Sequence, residues 1–398
     1  MEIRKITDGE LEEAAWLHRY AFGAWSDEKK EDWVAWLRPE DTIGLFDDGK
    51  LVSTVVVTPF QQSVRGVLKG MGGIGAVASY PEVRRKGYVR DLFRAAFADM
   101  RERGLPVSML SAFKRSFYAQ FGYAPANTSP LVKTSAKSLR SGLDLKMHDE
   151  LSVERVRAVD AKDSFTEFVQ DFCPARYHGF VLKRDISDAY WKLRNKDLVL
   201  ALVKDKERVQ GLARYRIKSV PTEIPGEGEQ SIFVHEMYWR SLAARDALLR
   251  LFASHVDQMD NITFYVPFWE LFEHWFPDAN WSMHSWQAWA VRVTDAENAL
   301  RGLPAQGPGR VVIGVADEFC DWNNGTLKLS AGDGKLAVEH VSTSADARFS
   351  IEGLSALVYG TIPLEEIEYM GWGEVRGASR QILQRWLPVQ PIHNAFDF

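Results

Sequence analysis

Apolar and polar positions follow two alternating rhythms along this chain. Leu51-Val52-Ser53-Thr54-Val55-Val56-Val57 is a β-branched, apolar run of strand character. Strands are predicted at about 42–46, 51–58 and 67–79, after helices at 9–20 and 27–37 that carry aromatic faces. Tyr88, Leu92, Phe93, Ala96, Phe97 and Met100 recur at helical spacing and predict a helix from Tyr88 to Arg103, with Gly104 as its C-cap. A short buried strand, Val107 to Leu110, and a short helix, Phe113 to Phe121, follow. Such alternation predicts a layered α/β or α+β fold.

The rhythm then repeats. Residues 135–150 are polar and read as a linker. Beyond them come a helix at 160–171, strands at 198–203, 212–218 and 231–239, a helix at 242–258 and a strand at 262–266. This order repeats that of the first block and predicts a structural duplication. A third block begins near Val293. Its strands, Val311 to Asp317, Thr326 to Ser330 and Leu336 to His340, are separated by Asn323-Asn324-Gly325 and Gly332-Asp333-Gly334, both read as hairpin turns. Helices at about 351–358, 363–369 and 376–385 close a small α+β unit.

Composition narrows the class. The 398 residues are 46% hydrophobic and 26% charged, a globular balance that suits two or three domains. Lys and Arg total 49 against 54 Asp and Glu, a net charge of −5, which argues against a nucleic-acid binder. Cys173 and Cys320 are too few and too far apart for a disulfide framework or a zinc site, and read as buried hydrophobes. His235-Glu236 is followed by Trp239 where a metal-binding helix would need a second His, so no metal is expected. The charged N-terminus carries no signal-peptide pattern and no apolar run approaches a membrane span, so a soluble cytoplasmic protein is the expectation.

Chemistry concentrates between Gly75 and Tyr123. Ala76-Val77-Ala78-Ser79 ends an apolar strand, Pro81 stops it, and Arg84-Arg85-Lys86-Gly87 forms a basic turn directly before a helix. A helix start offers unsatisfied N–H groups and about half a unit of positive charge. Gly87 lets a ligand approach the backbone with no Cβ in the way. The arrangement suits a pyrophosphate; it also suits a solvated basic turn before an amphipathic helix. Gly73-Ile74-Gly75-Ala76-Val77-Ala78 fits the loose dinucleotide pattern G-x-G-x-x-A. It reads as strand, with Pro81 close behind, where that pattern would have to open a helix. There is no P-loop run.

The turn resembles the Gcn5-related N-acetyltransferase motif [RQ]-x-x-G-x-[GA], written here Arg84-x-x-Gly87-x-Val89, with Val89 departing at the last place. A second element, Ser111 and then Phe117-Tyr118-Ala119-Gln120-Phe121-Gly122-Tyr123, is similar to the helix-to-strand signature of the same enzymes. Over its whole length the chain resembles the enhanced intracellular survival (Eis) family. That resemblance implies two tandem acetyltransferase-like domains, 1–134 and 135–292, the second degenerate, and a sterol-carrier-type domain at 293–398. Asp317 ahead of Trp322-Asn323-x-Gly325 supports the last of these.

The resemblance implies an acetyl-CoA-dependent N-acetyltransferase of aminoglycosides, polyamines or lysine side chains, assembled as a homohexamer. Val77, Ala78 and Ser79 would contact the acetyl-pantetheine arm; Arg85, Lys86, Gly87, Tyr88, Val89 and Arg90 would hold the pyrophosphate; Tyr118 and Ala119 would line the cofactor further along. Tyr123 would be the general acid, with Tyr118 as the alternative, and the carboxylate of the terminal Phe398 the general base. Trp25, Asp27, Trp33 and Trp36 are candidates for the substrate pocket or for the core. Trp239 to Arg245 stands where a second cofactor turn would lie and lacks a glycine, so the second domain is expected to bind no acetyl-CoA. A lipid- or ligand-binding protein with an inactive acetyltransferase domain is the alternative reading.

Overall fold

The apolar run at Leu51 grows into one arm of a long hairpin, Lys50–Val64 and Val67–Ser79, closed by Arg65 and Gly66. Both turn residues have positive φ (53° and 80°), the geometry of a two-residue turn that matches strand twist. The computed structural model describes residues 1–23, 36–126, 129–183, 186–220, 229–276, 278–285 and 289–394. Most of the helix expected at 27–37, with Trp25, Asp27 and Trp33, lies outside them, as does Phe398.

In chain order the strands are Glu2–Lys5 (β1), Thr42–Asp47 (β2), Lys50–Val64 (β3), Val67–Ser79 (β4), Val107–Ser111 (β5), Ala124–Pro125 (β6), Leu131–Ser135 (β7), Leu151–Arg157 (β8), Val181–Leu182 (β9) and Val199–Asp205 (β10). Then come Arg208–Val220 (β11), Glu229–Trp239 (β12), Asn261–Tyr265 (β13), Trp281–His284 (β14) and Trp289–Val293 (β15). Gly309–Ala316 (β16), Gly325–Ala331 (β17), Leu336–Val341 (β18), Ala347–Ser350 (β19) and Gly373–Val375 (β20) end the series. Three sheets result, ordered β1-β2-β3-β4-β5-β15-β6, β14-β7-β13-β12-β11-β10-β8 and β18-β17-β16-β19-β20, with β9 paired to β3.

The duplication is visible in the first two sheets. In each, three antiparallel strands lead to a parallel pair, β4 with β5 and β12 with β13. The crossover is a helix, Tyr88–Glu102 in the first and Leu242–Ala253 in the second. The strand beside each parallel pair is exchanged: β15 reaches back to β5, while β7 pairs with β13. Residues 135–150 are therefore not a free linker. Ala136–Asp144 forms a 3-10 helix whose Ala136, Leu139 and Gly142 are buried in the second core. Their polar neighbours face outward, which is why composition alone suggested a tether.

The third sheet is fastened to the first by helix Ile351–Tyr359, where only Glu352 escapes full burial. Ser355 Oγ accepts from the β15 amide of Val293 at 2.9 Å. Arg292 and Asp317 form a fully buried ion pair at 2.7 Å, and Arg292 Nε also donates to the carbonyl of Phe121. Asp317 further accepts from the amides of Phe319 and Cys320 and from Asn323 Nδ2. The expected Asn-Gly hairpin turn is thus an ordered loop, residues 317–324, built around one carboxylate. Arg65 completes the junction by donating to the carbonyls of Leu357, Val358 and Pro388 at 2.7 to 3.0 Å. Both cysteines are buried, as expected.

Candidate active site

β4 changes character at Gly75. Up to Ile74 it pairs in parallel with β5, through Met71–Ile74 against Val107–Leu110. β5 ends at Ser111, while β4 continues to Ser79. Beyond Ile74 its backbone therefore has no strand partner on that side among the described residues, and a wedge opens in the sheet. On the other side Val56 faces Gly75 but Thr54 faces Ala78, so Ala76 and Val77 stand opposite Val55 alone. This is a β-bulge, and Ala76 takes φ 45° to make it.

Hydroxyls of β3 hold the bulge. Thr54 Oγ1 donates to the carbonyl of Ala76 at 3.4 Å, and Ser53 Oγ to that of Ala78 at 2.8 Å. His18 Nε2 lies 2.8 Å from Thr54 Oγ1. Burial lowers the His18 pKa to about 3, so the ring is neutral; with the Thr54 proton given to Ala76, Nε2 is the donor of this pair and fixes the hydroxyl. Sequence reading missed Ser53, Thr54 and His18; an alternating strand gives no sign of which rung is doubled.

The basic turn sits at the mouth of the wedge. Arg85 (φ 65°) and Gly87 (φ 88°) bend it, and Gly87 serves as N-cap of helix Tyr88–Glu102. The amides of Arg85, Lys86, Gly87, Tyr88 and Val89 find no acceptor among the described residues; the first to do so are those of Arg90 and Asp91, both on the Gly87 carbonyl. Five successive free N–H groups, with the exposed side chains of Arg84, Arg85 and Lys86 around them, form an anion cradle. A Cβ on Gly87 would meet nothing within 4 Å, so φ and ligand approach, not protein packing, demand glycine there. Two expected members face elsewhere. Tyr88 donates its hydroxyl to Asp47 at 2.7 Å, and Arg90 pairs with Glu318 while its guanidinium lies 4.7 Å from the Phe319 ring centre.

Val77, Val89 and Tyr118 belong to one apolar cluster, which extends from the strand tip through the helix start to the later signature. The two tyrosines differ in their hydroxyls. Ser108 donates its single proton to the carbonyl of Gly72 at 2.7 Å, so Tyr123, 2.7 Å from Ser108 Oγ, must be the donor of that pair. Tyr123 is 2% exposed, packed against Phe93, Phe97 and Tyr118, and burial drives its pKa far up. The hydroxyl of Tyr118, on helix Arg115–Ala119, has no hydrogen-bond partner among the described residues, and burial pushes its pKa up to about 12. Ala119 follows it on the same short helix.

On the face of the sheet opposite helix Tyr88–Glu102, a cleft runs along β3. Trp36, Arg38, Asp41, Val56, Phe60 and Lys183 are among its walls. The Trp36 indole lies against Gly75, within 3.4 Å of where a Cβ would stand, so the cleft meets the bulge. The tail is described to Asn394. His393 donates its amide to the His178 carbonyl, Ser129 Oγ lies 2.5 Å from His393 Nδ1, and Ile392 fills the space above Gly179.

Comparison with known proteins agrees with this geometry. The acetyltransferase (GNAT) domain family matches residues 2–126, a second GNAT domain family matches 182–293, and the sterol carrier protein domain family matches 296–393. An N-acetyltransferase of Streptomyces avermitilis is 24% identical over 92% of this chain and 94% of its own. The N-acetyltransferase Eis of Mycobacterium tuberculosis is 22% identical over 92% of both. By its two GNAT domains the chain is a Gcn5-related N-acetyltransferase, and over most of its length it is similar to the Eis enzymes. The crystal structure of a GCN5-related N-acetyltransferase from Anabaena variabilis superimposes with a TM-score of 0.86 at 20% identity, covering all of both chains, which fixes the fold.

The enzyme's second acetyltransferase-like domain has a shorter opening with no glycine: at its helix start the amides of Ser241, Leu242 and Ala243 find no acceptor among the described residues. At the corresponding helix Ser241 is the N-cap, and its own side chain accepts from the amide of Ala244. The carbonyl of Ser241 takes Arg245, and Arg240 donates its amide to Gln210. The Trp239 ring at the end of β12 packs edge-on to Trp275 at 5.6 Å. Among the described residues no helix is long and apolar enough to cross a membrane, and no cluster of His, Cys, Asp or Glu has the makings of a metal site.

Proposed function

We propose that the first domain binds acetyl-CoA and acetylates a primary amine, of a small molecule such as an aminoglycoside or polyamine or of a lysine side chain, in the cytoplasm. The free amides from Arg85 to Val89 carry the reading: they face solvent at a helix start, and a diphosphate can take them from water while matching the surrounding cations. Arg85 and Lys86 add charge; Tyr88 and Arg90 shape the helix start, their own side chains being engaged with Asp47 and Glu318. The unpaired edge of Val77, Ala78 and Ser79 suits an amide-bearing arm such as pantetheine, laid in the wedge as a missing strand would be. Tyr118 and Ala119 line the further wall.

Bound acetyl-CoA supplies an acetyl group activated as a thioester. The chain's residues supply the proton chemistry. Tyr118 Oη, which has no hydrogen-bond partner among the described residues, is the donor to the leaving sulfur; Tyr123, whose proton is given to Ser108, supports it from the core. The carboxylate of Phe398 takes the proton of the incoming ammonium. A free terminal carboxyl has a pKa of about 3.5, so an apolar setting that raises it would make it a better base. Burial of Ile392 and His393 anchors the tail that carries it. No glycine opens the corresponding turn of the second domain and Ser241 already accepts from Ala244 there, so this reading gives that domain no part in cofactor binding. Phe268, Trp269, Leu271 and Val389 are exposed, and such apolar surface supports assembly of several copies, six by family resemblance.

The direct test offers acetyl-CoA with kanamycin, tobramycin, spermidine and a lysine peptide, and follows free thiol. Amine-dependent thiol release is the expected result. No release with any amine, from folded protein, would contradict the proposal.

A further inference from the structure

A buried chain of donors ends on the peptide at the bulge of β4. His18, on helix Leu11–Phe22, and Thr54, on β3, are fully buried, and His18 Nε2 lies 2.8 Å from Thr54 Oγ1. Thr54 gives its own proton to the carbonyl of Ala76 at 3.4 Å, so Nε2 donates to the hydroxyl. Ala76 holds a φ of 45°, a left-handed conformation that a residue with a Cβ keeps only when its surroundings impose it. Thr54 shares its face of β3 with Val56, which clusters with Ala14 and Ala15 of the first helix. Val55 and Val57 point to the opposite face, with Leu92, Phe93 and Tyr118. The Ala76 carbonyl is therefore drawn toward the face that carries His18. Among the described residues no peptide bond is cis, and in a trans peptide the N–H points opposite to the C=O. The Val77 amide is thus turned toward the other face, where its own side chain packs on the cluster that holds Tyr118.

We propose that His18 and Thr54 are positioning residues for acetyl transfer: by holding the Ala76 carbonyl they aim the Val77 N–H at the thioester oxygen, on the face where Tyr118 meets the sulfur. The inference rests on the acetyltransferase reading and adds the residues that set its oxyanion donor. Val77 N–H holds the oxygen that takes the π pair as the amine nitrogen bonds to the carbonyl carbon. Tyr118 protonates the sulfur when the C–S bond breaks, and the terminal carboxylate takes the proton that the amine sheds. Every link, from His18 Nε2 through the Thr54 hydroxyl and the 76–77 peptide, donates in the same direction. Charge arriving on the oxygen therefore polarises the whole chain, and burial keeps water from competing. The 3.4 Å link is long at rest, as catalytic hydrogen bonds are before the reacting group arrives, and has room to shorten. Ser53 keeps the far end of the bulge in place: it donates to the Ala78 carbonyl at 2.8 Å and takes the proton of Ser79, 2.6 Å away.

The test uses the whole protein and three variants: Thr54→Val, which keeps the shape and removes the hydroxyl, Thr54→Ser, which keeps the hydroxyl, and His18→Phe. Urea unfolding checks that each is folded at the assay temperature. The probe is the acetyl-CoA analogue with a methylene in place of sulfur, whose carbonyl stays in position and cannot be transferred. Its carbonyl band, read by isotope-edited infrared spectroscopy, should lie at lower frequency in the wild type than in Thr54→Val and His18→Phe, and Thr54→Ser should match the wild type. With an accepted amine, kcat should fall about 10–100-fold in Thr54→Val and His18→Phe, less than outright loss of an oxyanion donor. Affinity for coenzyme A, which lacks the carbonyl, should stay within about twofold of the wild type. An unchanged band in well-folded Thr54→Val and His18→Phe, a kcat that Thr54→Ser does not restore, or a loss of coenzyme A affinity equal to the loss of kcat would overturn the inference. No thiol release with any amine, alongside a band that still moves with Thr54, would instead count against amine acetylation alone.

Discussion

A hydroxyl that already donates its proton to the protein is a poor general acid. Tyr123 donates to Ser108 and Tyr118 to no described group, which reverses the order of preference that the Phe-Gly-Tyr motif suggested. Tyr118→Phe should lower kcat by about 10²–10⁴-fold with acetyl-CoA affinity little changed, as loss of a positioned proton donor does. Tyr123→Phe should cost about 1 kcal/mol of stability, read from urea unfolding, and leave turnover near wild type. Opposite results in steady-state kinetics would return the role to Tyr123. The sequence showed both tyrosines and their spacing. It could not show which hydroxyl Ser108 occupies, because that depends on a serine of β5 meeting a carbonyl of β4.

At the scale of elements, what repeats locally was legible and what pairs at long range was not. The Tyr88 helix, its glycine cap and the Gly104 terminus followed from period and punctuation; Gly104 takes φ 65°. The bulge of β4 did not, since Ala76 is an ordinary strand residue until Thr54 fixes its carbonyl and Ser53 that of Ala78. Nor did the 317–324 loop, where Asn323-Asn324-Gly325 carries a hairpin signature but Asp317 collects the donors. That loop is predicted to be a weak point. Arg292→Met leaves Asp317 buried without its cation and should destabilise the enzyme by about 3–5 kcal/mol. Arg292→Met with Asp317→Asn, which removes the charge and keeps an acceptor for the loop's donors, should recover part of this. A double variant no more stable than Arg292→Met, in chemical denaturation, would show that the carboxylate is not the source of the penalty.

For the whole molecule, the block order of the chain foretold two related domains and a third, but not the exchange of β7 and β15 or the depth at which the blocks interlock. His178 and His393 lie at those seams, and His18 is buried within the first domain. His178 accepts from the Arg65 amide and donates to the Tyr359 carbonyl, and burial lowers its pKa to about 4; His18 and His393 are lowered to about 3. Unfolded, each titrates near 6.5, so above that pH neither state binds the proton and stability is flat. As pH falls from about 6.5 toward 4 only the unfolded chain gains protons, and stability should drop by roughly 1.4 kcal/mol per pH unit for each histidine fully titrating. Urea midpoints unchanged between pH 6.5 and 4.5 would contradict this. The tail is a matter for the whole molecule too: residues appended after Phe398 should abolish most turnover, and full activity with such an extension would remove its carboxylate from the mechanism. The cradle remains the part on which all else depends, and calorimetric titration of coenzyme A into the wild-type enzyme and Gly87→Val addresses it directly. The free amides and the φ of 88° predict clear binding to the wild type and at least a tenfold loss in the variant, whereas no heat with folded wild-type protein, or equal affinity for both, would contradict the account.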